Sequence, residues 1–203
     1  MGFLSNLLGI NKEVIIDQNG GSKMLKIGII LGSTREGRVS PQVGEWVKTV
    51  ADSRGDATYE IIDIADYKLP FLGDPNGDAS GIPQWQEKIN GCDGFVFIVQ
   101  EYNHSITGAL KNALDLLRAE WNNKAAGIVS YGSVGGARAA EHLRGILGEL
   151  LVADVRVHPA LSLFTDFENG NVFKPKEVQE QSVKDMLDQV ISWSTALKTI
   201  RNK

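Results

Sequence analysis

Residues 32–40, with the sequence GSTREGRVS, concentrate polar and basic side chains that could bind an anion. An apolar run precedes them and a stretch of helical period follows, so a turn between a strand and a helix is predicted here. Five side chains of this first loop can donate hydrogen bonds: Ser33, Thr34, Arg35, Arg38 and Ser40. Together with the backbone N–H groups at a helix start, they form a set of donors suited to a phosphate group.

The spacing of the glycines in the first loop limits which phosphate compound it fits. Gly32 and Gly37 have the GxxxxG spacing of a nucleoside-triphosphate loop, but Arg38 and Val39 stand where Lys and Ser or Thr are required, which disfavours ATP. The loop also lacks the GxGxxG motif that approaches the pyrophosphate of NAD. A monophosphate is therefore predicted, and the alternative is a polar turn with solvated arginines.

A second loop, QEYNHSITG at residues 100–108, follows the most apolar run of the chain, GFVFIV. Glu101, Tyr102 and Asn103 offer backbone and amide groups to the edge of a planar heterocycle, and the ring of Tyr102 can pack against it. His104 could act as a base, but no Ser or Cys stands at a spacing that suggests pairing. Hydrogen bonding is its expected role, and no catalytic side chain is predicted.

A third loop, within SYGSVGGARAAEHL at residues 130–143, is rich in glycine. Gly132, Gly135 and Gly136 would let the backbone approach a flat ligand closely, and Tyr131 could cover that ligand. Two serines flank the glycines: Ser130 and Ser133. The alternative is a tight turn that needs a positive φ, which explains one glycine more easily than three.

The apolar periodicity predicts the elements that must position these loops. Five apolar runs are predicted to be strands, at residues 26–31, 59–64, 94–99, 125–131 and 154–157. Helices are predicted between and after them, at about residues 41–53, 84–90, 108–119, 136–151 and 175–199. Most runs are apolar on both faces, as in a parallel sheet covered by helices, so a doubly wound α/β fold is predicted.

Two strand orders are compatible with this alternation, Rossmann-like and flavodoxin-like. Five strands within residues 24–203 favour the flavodoxin-like five-stranded parallel sheet, in the order 2-1-3-4-5. In either order, ligands bind beyond the carboxyl ends of the strands. The three loops follow strands one, three and four, which places all of them at that edge.

The composition limits the class of protein. The chain has 203 residues, 42% of them hydrophobic, which is enough for one core, so a single domain is predicted at residues 24–203. The net charge is −4, with 21 basic residues scattered among 25 acidic ones, and no basic face for nucleic acid is expected. The single cysteine, Cys92, excludes an internal disulfide framework and a CxxC metal site. It points to a reducing compartment, so a cytoplasmic location is predicted.

Residues 1–23 are predicted to be an extension outside that domain, because the strand pattern begins only after the glycine-rich junction at residues 19–22. Its apolar part, residues 3–10, lacks a basic leader and a cleavage site and is too short to span a bilayer, so neither a secretory signal nor a membrane-spanning segment is expected. The extension is expected to be a flexible or loosely docked tail. The alternative is a helix that binds a partner or a membrane surface.

Three segments, LGSTREGR, EYNHSITGALKNALD and SYGSVGGARAAEHLR, occur in an order and at separations that resemble the NADPH-dependent FMN reductase family. This family has a flavodoxin-like fold and includes quinone, azo-dye and chromate reductases. The resemblance covers about residues 25–150. It implies that the first loop holds the FMN phosphate, that Glu101 to Asn103 line the isoalloxazine ring, and that Tyr131 and Gly132 close its other edge.

Two positions depart from the family's pattern. The second loop commonly reads PEYN, with a further proline before the glycine, whereas Gln100 and Thr107 stand at these positions here. Thr107 could cap the helix that the proline would have started, and Gln100 would make the entry to the loop less rigid. The predicted cofactor-binding residues are Ser33, Thr34, Arg35, Arg38, Ser40, Gln100, Glu101, Tyr102, Asn103, Ser130, Tyr131, Gly132 and Ser133.

The resemblance further implies a ping-pong oxidoreductase, in which NADPH or NADH reduces bound FMN and a quinone, azo compound or free flavin reoxidises it. Flavin-based chemistry explains why no acid–base constellation is found. The family also implies a homodimer or homotetramer, for which residues 160–173 are the candidate surface. Two alternatives stay open: a flavodoxin-type electron carrier, which would not oxidise NADPH, and an interaction protein whose flavin redox state controls binding to a partner.

Overall fold

The central sheet is parallel and is described, like the rest of the structure, over residues 24–201 of a computed structural model. The extension predicted at residues 1–23 lies outside the described residues. The strands are β1 (Leu25–Leu31), β2 (Ala57–Asp63), β3 (Gly94–Gln100), β4 (Lys124–Gly132) and β5 (Val152–Asp154). They lie in the order β2-β1-β3-β4-β5, which confirms the flavodoxin-like order predicted from the sequence.

The helices of the described chain correspond to the five predicted ones. They are α1 (Ser40–Asp52), α2 (Ile82–Asn90), α3 (Gly108–Asp115), α4 (Ala137–Glu149) and α5 (Glu177–Arg201). Helix α3 is capped as predicted, because the Thr107 hydroxyl accepts a hydrogen bond from the Leu110 N–H at 3.0 Å. The helix ends at Asp115, earlier than the predicted residue 119.

The sheet is covered on both faces, which explains why its central strands are apolar without alternation. Every residue of β3 and of β4 is buried. Neighbouring residues of a strand point to opposite faces. Phe95 and Phe97 therefore pack with α2, α3 and α4 on one face, whereas Val96 and Ile98 pack with α1 and α5 on the other.

The fifth strand differs from the prediction, which placed it at residues 154–157. Strand β5 pairs with Lys124–Ala126 at the start of β4, and a second short strand, β6 (Ala160–Ser162), pairs with Ser130–Gly132 at its end. Between them, the chain leaves β4 only at residues 156–158, because the Val155 N–H still donates to the Ala126 carbonyl oxygen at 2.8 Å. The chain rejoins β4 at Pro159, whose carbonyl oxygen accepts a hydrogen bond from the Ser130 N–H at 3.0 Å.

A short antiparallel hairpin after β6 was not predicted. Its strands are β7 (Phe167–Glu168) and β8 (Val172–Phe173). The turn between them holds Asn169 and Gly170 at φ values of 51° and 71°. Asn-Gly is a strong signal for such a turn, but two-residue strands are too short to give an alternating pattern.

Candidate functional site

The three loops meet at the carboxyl edge, the edge of the sheet where its parallel strands end. The Gly32 N–H donates to the Ile98 carbonyl oxygen at 3.0 Å, and the Glu101 N–H donates to the Tyr131 carbonyl oxygen at 3.0 Å. A Cβ atom on Gly32 would lie 2.9 Å from the Ile98 carbonyl oxygen. Only glycine therefore allows the backbone of the first loop to approach β3 this closely. The prediction that these loops are neighbours is correct.

The first loop divides its basic side chains between two environments. Arg38 forms an ion pair with Asp63 at the end of β2, and its side chain is 20% exposed. Thr34 and Arg35 are exposed. The loop turns between Arg35 and Arg38, where the Arg38 N–H donates to the Arg35 carbonyl oxygen at 3.2 Å and Gly37 has a φ of 67°. Arg35 therefore has the freedom to pair with a ligand that Arg38 lacks.

Two serines of the first loop are buried. Ser33 is 1% exposed and Ser40, the first residue of α1, is fully buried. The residue before it, Val39, has no side-chain oxygen to cap the helix. The N–H groups at the start of α1 therefore receive no cap from the side chain of Val39 and stay free to donate to an anion.

Unpartnered polar atoms are concentrated at the carboxyl edge. Within residues 24–201, four buried side-chain nitrogen or oxygen atoms have no hydrogen-bond partner: Arg38 Nε, Ser40 Oγ, Gln100 Oε1 and Ser194 Oγ. Three of these four belong to the first loop or to the residue that opens the second. Folded proteins leave few such atoms, since each costs about 1–3 kcal/mol of stability. At this edge of the sheet, buried donors and an acceptor are therefore left unused by the described residues.

The second loop reverses direction over four residues. The Tyr102 N–H donates to the Ser105 carbonyl oxygen at 2.9 Å and the Ser105 N–H donates back to Tyr102 at 3.0 Å. Asn103 and His104, between them, have positive φ values of 49° and 68°. This pair of bonds does not use the backbone N–H groups of the two central residues. They remain available to a ligand beside the exposed Tyr102 ring.

The carboxylate of Glu101 points away from its own loop and into the start of α4. It accepts hydrogen bonds from Arg138 Nε at 2.5 Å and from the Arg138 backbone N–H at 3.2 Å. Burial raises the pKa of Glu101, but these bonds and the charge of Arg138 outweigh it and keep the pKa below its usual value. Arg138 also contacts His104, with 2.9 Å between Nη1 and Nε2. Glu101 thus offers backbone rather than carboxylate to a ligand.

The glycines of the third loop are required in part by the loop's own conformation. Gly135 and Gly136 have φ values of 74° and 71°, and a Cβ on Gly136 would lie 2.8 Å from the backbone of Tyr131. This agrees with the alternative of a tight turn for these two residues. The Gly135 N–H donates to the Gly132 carbonyl oxygen at 3.2 Å, and Ser133 is exposed at the tip of that turn.

Two further predicted site residues of β4 lie mostly inside the protein. Ser130 is fully buried; its hydroxyl donates to the Gly135 carbonyl oxygen at 2.5 Å and lies 2.7 Å from His158 Nε2. Tyr131 is 5% exposed and packs against Phe167, with 5.7 Å between ring centroids. Ser130 therefore supports the third loop, and Tyr131 offers only a small part of its ring to a ligand.

The environment of Tyr131 connects it to the first loop. Burial raises the pKa of its phenol, and the nearby hydroxyl of Ser40 and the charges of Arg35 and Arg38 offset this only in part. The Ser40–Tyr131 pair lacks the geometry of a hydrogen bond, which leaves Ser40 Oγ without a partner. The first and third loops thus share one polar environment.

Sequence reasoning missed the side chains that hold the site residues in place. Asp63 pairs with Arg38, Arg138 pairs with Glu101, and His158 contacts Ser130. The first two pairs are 25 and 37 residues apart in sequence, so no local pattern indicates them. A polar residue at the end of a parallel strand was the one available signal for Asp63.

Cavity volume alone does not locate this site. A cavity of about 630 Å³ lies where β1 and β2 begin, beside Lys26, Glu60 and Cys92, and a groove of about 760 Å³ runs between α3 and α4. None of the predicted cofactor-binding residues lines either of them. The carboxyl edge is identified instead by its donors and its unpartnered atoms.

Similarity to known proteins extends over most of the chain. Residues 25–166 match the family described as NADPH-dependent FMN reductase. An NAD(P)H-dependent FMN reductase of Schizosaccharomyces pombe is 38% identical over 149 residues, covering 70% of this chain and 74% of that protein. A quinone reductase of Escherichia coli K12 is 33% identical over 134 residues, covering 62% of this chain and 71% of that protein.

A solved structure shares the fold. The flavoenzyme NAD(P)H:(acceptor) oxidoreductase FerB of Paracoccus denitrificans has a TM-score of 0.63 to this chain at 18% sequence identity, covering 85% of this chain and 98% of that one. At this identity the likeness concerns the fold. Within residues 24–201, no helix combines the length and the apolar character needed to cross a membrane.

Proposed function

This chain belongs to the NADPH-dependent FMN reductase family, which makes it an oxidoreductase that uses FMN and NAD(P)H, and we propose that the three loops of the carboxyl edge hold the FMN. The observation that carries this proposal is the concentration of unpartnered polar atoms there. Arg38 Nε and Ser40 Oγ are two of them, and both can donate to a phosphate.

The donor set fits a phosphate monoester at the start of α1. Ser33, Thr34 and Arg35 add donors from the same loop, and the helix dipole of α1 favours a negative charge at its N-terminus. Asp63 already balances the charge of Arg38. Arg35 is therefore the side chain that adds uncompensated positive charge for the phosphate.

The second and third loops fit the edge of a planar ring. The turn at residues 102–105 leaves the backbone N–H groups of Asn103 and His104 available. Gly132 has no side chain to fill the space beside Glu101, where a Cβ atom would lie 3.1 Å from the Cβ of Glu101. FMN, when bound, supplies the transfer of electrons between NAD(P)H and the acceptor. The task of the chain is to bind and orient the ring and to leave part of it accessible, and no acid or base side chain is assigned.

The acceptor is proposed to be a small molecule such as a quinone, with an azo compound or a free flavin as the other candidates. Support comes from relatives named for quinone and FMN reduction. These names do not favour an electron carrier or an interaction protein controlled by its flavin. A carrier would bind FMN without oxidising NADPH, which separates it from a reductase experimentally.

A homodimer or homotetramer and a cytoplasmic location complete the proposal. Large apolar side chains exposed in the loops that follow the strands support an assembly, because a contact between subunits would remove their apolar surface from water. These side chains are Phe71, Leu72, Tyr102, Val134 and Phe164. The chain has a single cysteine, Cys92, and so no internal disulfide, which supports a reducing compartment.

The proposed phosphate site is tested by comparing two buried serines. Ser40 and Ser194 both have an unpartnered hydroxyl, but only Ser40 lies in the first loop. A hydrogen bond to a charged group contributes about 1.5–3 kcal/mol, so Ser40→Ala should bind FMN roughly ten-fold or more weakly in a fluorescence titration. Ser194→Ala, the matched control on α5, should keep the wild-type affinity. Equal affinities of both variants would contradict a phosphate site at Ser40.

A further inference from the structure

Gln100 is held in the interior by one half of its side-chain amide. It is the last residue of β3, it is 3% exposed, and its Nε2 donates to the Gly32 carbonyl oxygen at 2.7 Å. The Thr107 hydroxyl donates to the same oxygen at 2.5 Å. Gly32 thus accepts two hydrogen bonds, one for each lone pair of its carbonyl. The nitrogen of the Gln100 amide is fixed in place by this contact.

The other half of that amide has no partner. Gln100 Oε1 is buried and makes no hydrogen bond within the described chain. An amide oxygen only accepts hydrogen bonds, so what it lacks is a donor, either O–H or N–H. The terminal torsion of a glutamine side chain is broad. A small rotation can therefore turn Oε1 toward a bound donor while Nε2 stays near Gly32.

The position of Gln100 indicates which part of a ligand this donor belongs to. Its amide contacts Gly32, the first residue of the first loop, and its backbone leads directly into Glu101 of the second loop. In the sheet it is paired with Tyr131 at the start of the third loop. Gln100 thus lies between the loop that offers phosphate donors and the loops that offer a ring edge.

We propose that Gln100 Oε1 accepts a hydrogen bond from a hydroxyl group of the ribityl chain of FMN. The ribityl chain connects the phosphate to the ring, and its hydroxyls are the O–H donors of FMN in that interval. The inference rests on the proposed function, since it assumes that FMN occupies the carboxyl edge. It assigns to Gln100 a ligand contact in addition to its anchoring of Gly32.

The competing explanation is that Gln100 only anchors the first loop. Thr107 provides the matched comparison, because its hydroxyl donates to the same Gly32 oxygen. That hydroxyl also accepts a hydrogen bond from the Leu110 N–H, so Thr107 has no unpartnered acceptor. Replacing Thr107 with Val removes an anchor of Gly32 and the side-chain cap of α3, but it leaves the free acceptor of Gln100 in place. Replacing Gln100 with Met removes an anchor together with the free acceptor.

The test uses two ligands, FMN and an FMN analogue whose ribityl chain is replaced by an unsubstituted pentyl chain with the same terminal phosphate. Dissociation constants are measured by flavin fluorescence for the wild type, Gln100→Met and Thr107→Val, and circular dichroism reports folding. For Gln100→Met we expect the loss in affinity to be roughly 3- to 10-fold larger for FMN than for the analogue, the effect of one neutral hydrogen bond. For Thr107→Val we expect equal losses.

Equal losses for the two ligands in Gln100→Met would overturn the inference while leaving FMN binding by the wild type, and so the proposed function, intact. A wild type that binds neither ligand would contradict both. If Gln100→Met does not fold, the wild type is titrated with FMN analogues that each lack one ribityl hydroxyl. At least one analogue should then bind roughly 3- to 10-fold more weakly than FMN. If every analogue bound as tightly as FMN, the inference would be overturned.

Discussion

Arg38 and Asp63 form an ion pair that connects the first loop to the end of β2. Both side chains are largely shielded, at 20% and 14% exposure. Asp63 also accepts a hydrogen bond from the Ala65 N–H at 3.0 Å, so its carboxylate is held from two sides. The pair keeps Arg38 in place and offsets its charge, which leaves Arg35 as the adaptable cation of the loop.

Replacing Arg35 with Ala should weaken FMN binding roughly ten- to a hundred-fold, since a hydrogen bond to a charged group contributes about 1.5–3 kcal/mol. The fold should not change, because Arg35 is exposed. Fluorescence titration measures the affinity, and circular dichroism checks the fold. Arg118→Ala, an exposed arginine beyond the end of α3, is the control for net charge and should bind FMN as the wild type does. Wild-type affinity in Arg35→Ala would mean that the phosphate is held elsewhere.

The positions of the three loops were predictable, because apolar runs without alternation mark buried parallel strands and ligands bind where such strands end. GFVFIV gives β3 in this way, and all of its residues are buried. The side chains that hold the loops were not predictable. Arg38 finds Asp63 across 25 residues and Glu101 finds Arg138 across 37, and pairs formed by the packing of distant elements leave no local signal.

The orientation of individual site residues was also beyond the sequence. Glu101 and Tyr131 both stand at strand ends, yet the carboxylate of Glu101 points to α4 and the ring of Tyr131 packs in the core. The alternation of side chains along a strand decides which face of the sheet a side chain lies on. It does not decide whether that side chain points into the core or toward the carboxyl edge. The split of the fifth position into β5 and β6 was missed for a related reason, since three-residue strands carry no period.

Asp166 should make the stability of the fold depend on pH. Burial raises the pKa of its carboxyl, but hydrogen bonds from the Ser162 N–H at 2.7 Å and Gln179 at 2.7 Å, together with Lys176, outweigh burial and lower it. A pKa lowered by folding stabilises the protein above the unfolded-state pKa, and this contribution is lost as the pH falls through the folded-state pKa. Asp166→Asn should therefore melt below the wild type at pH 7, with a difference that shrinks toward acid.

Thermal unfolding monitored by circular dichroism at several pH values measures this difference. Asp185→Asn serves as the comparison, because the Asp185 carboxylate on α5 accepts a hydrogen bond from the neutral amide of Gln181 and forms no ion pair within residues 24–201. A gap between wild type and Asp166→Asn that stays constant from neutral to acid pH would show that Asp166 acts through packing rather than through its charge.

Deleting residues 1–22 should leave the fold, the FMN content and the oxidation of NADPH unchanged. The first strand begins at Leu25, and the ladder it forms with β2 and β3 involves only residues of the domain. Circular dichroism, the flavin spectrum and NADPH consumption of the truncated protein test this expectation. A truncated protein that unfolds or loses its flavin would instead show that Leu4, Leu7 or Leu8 contributes to the core.

The protein should be a homodimer or homotetramer at micromolar concentration, with Phe164 in the contact surface. Phe164 is 79% exposed and lies two residues after β6, the last strand that pairs with β4. Light scattering gives the mass, and Phe164→Asp should shift it toward the monomer because a charge replaces apolar contact area. Val178→Asp, at a 71% exposed position on α5, is the control. A monomer mass for the wild type would contradict the assembly.

One anaerobic titration of the purified protein shows whether the carboxyl edge binds FMN for the oxidation of NAD(P)H. We expect a flavin absorption band and a released cofactor with the mass of FMN. The band should bleach when NADPH or NADH is added and return when a quinone follows. A released cofactor that is only an adenine dinucleotide, or a flavin band that neither NADPH nor NADH changes, would contradict this expectation.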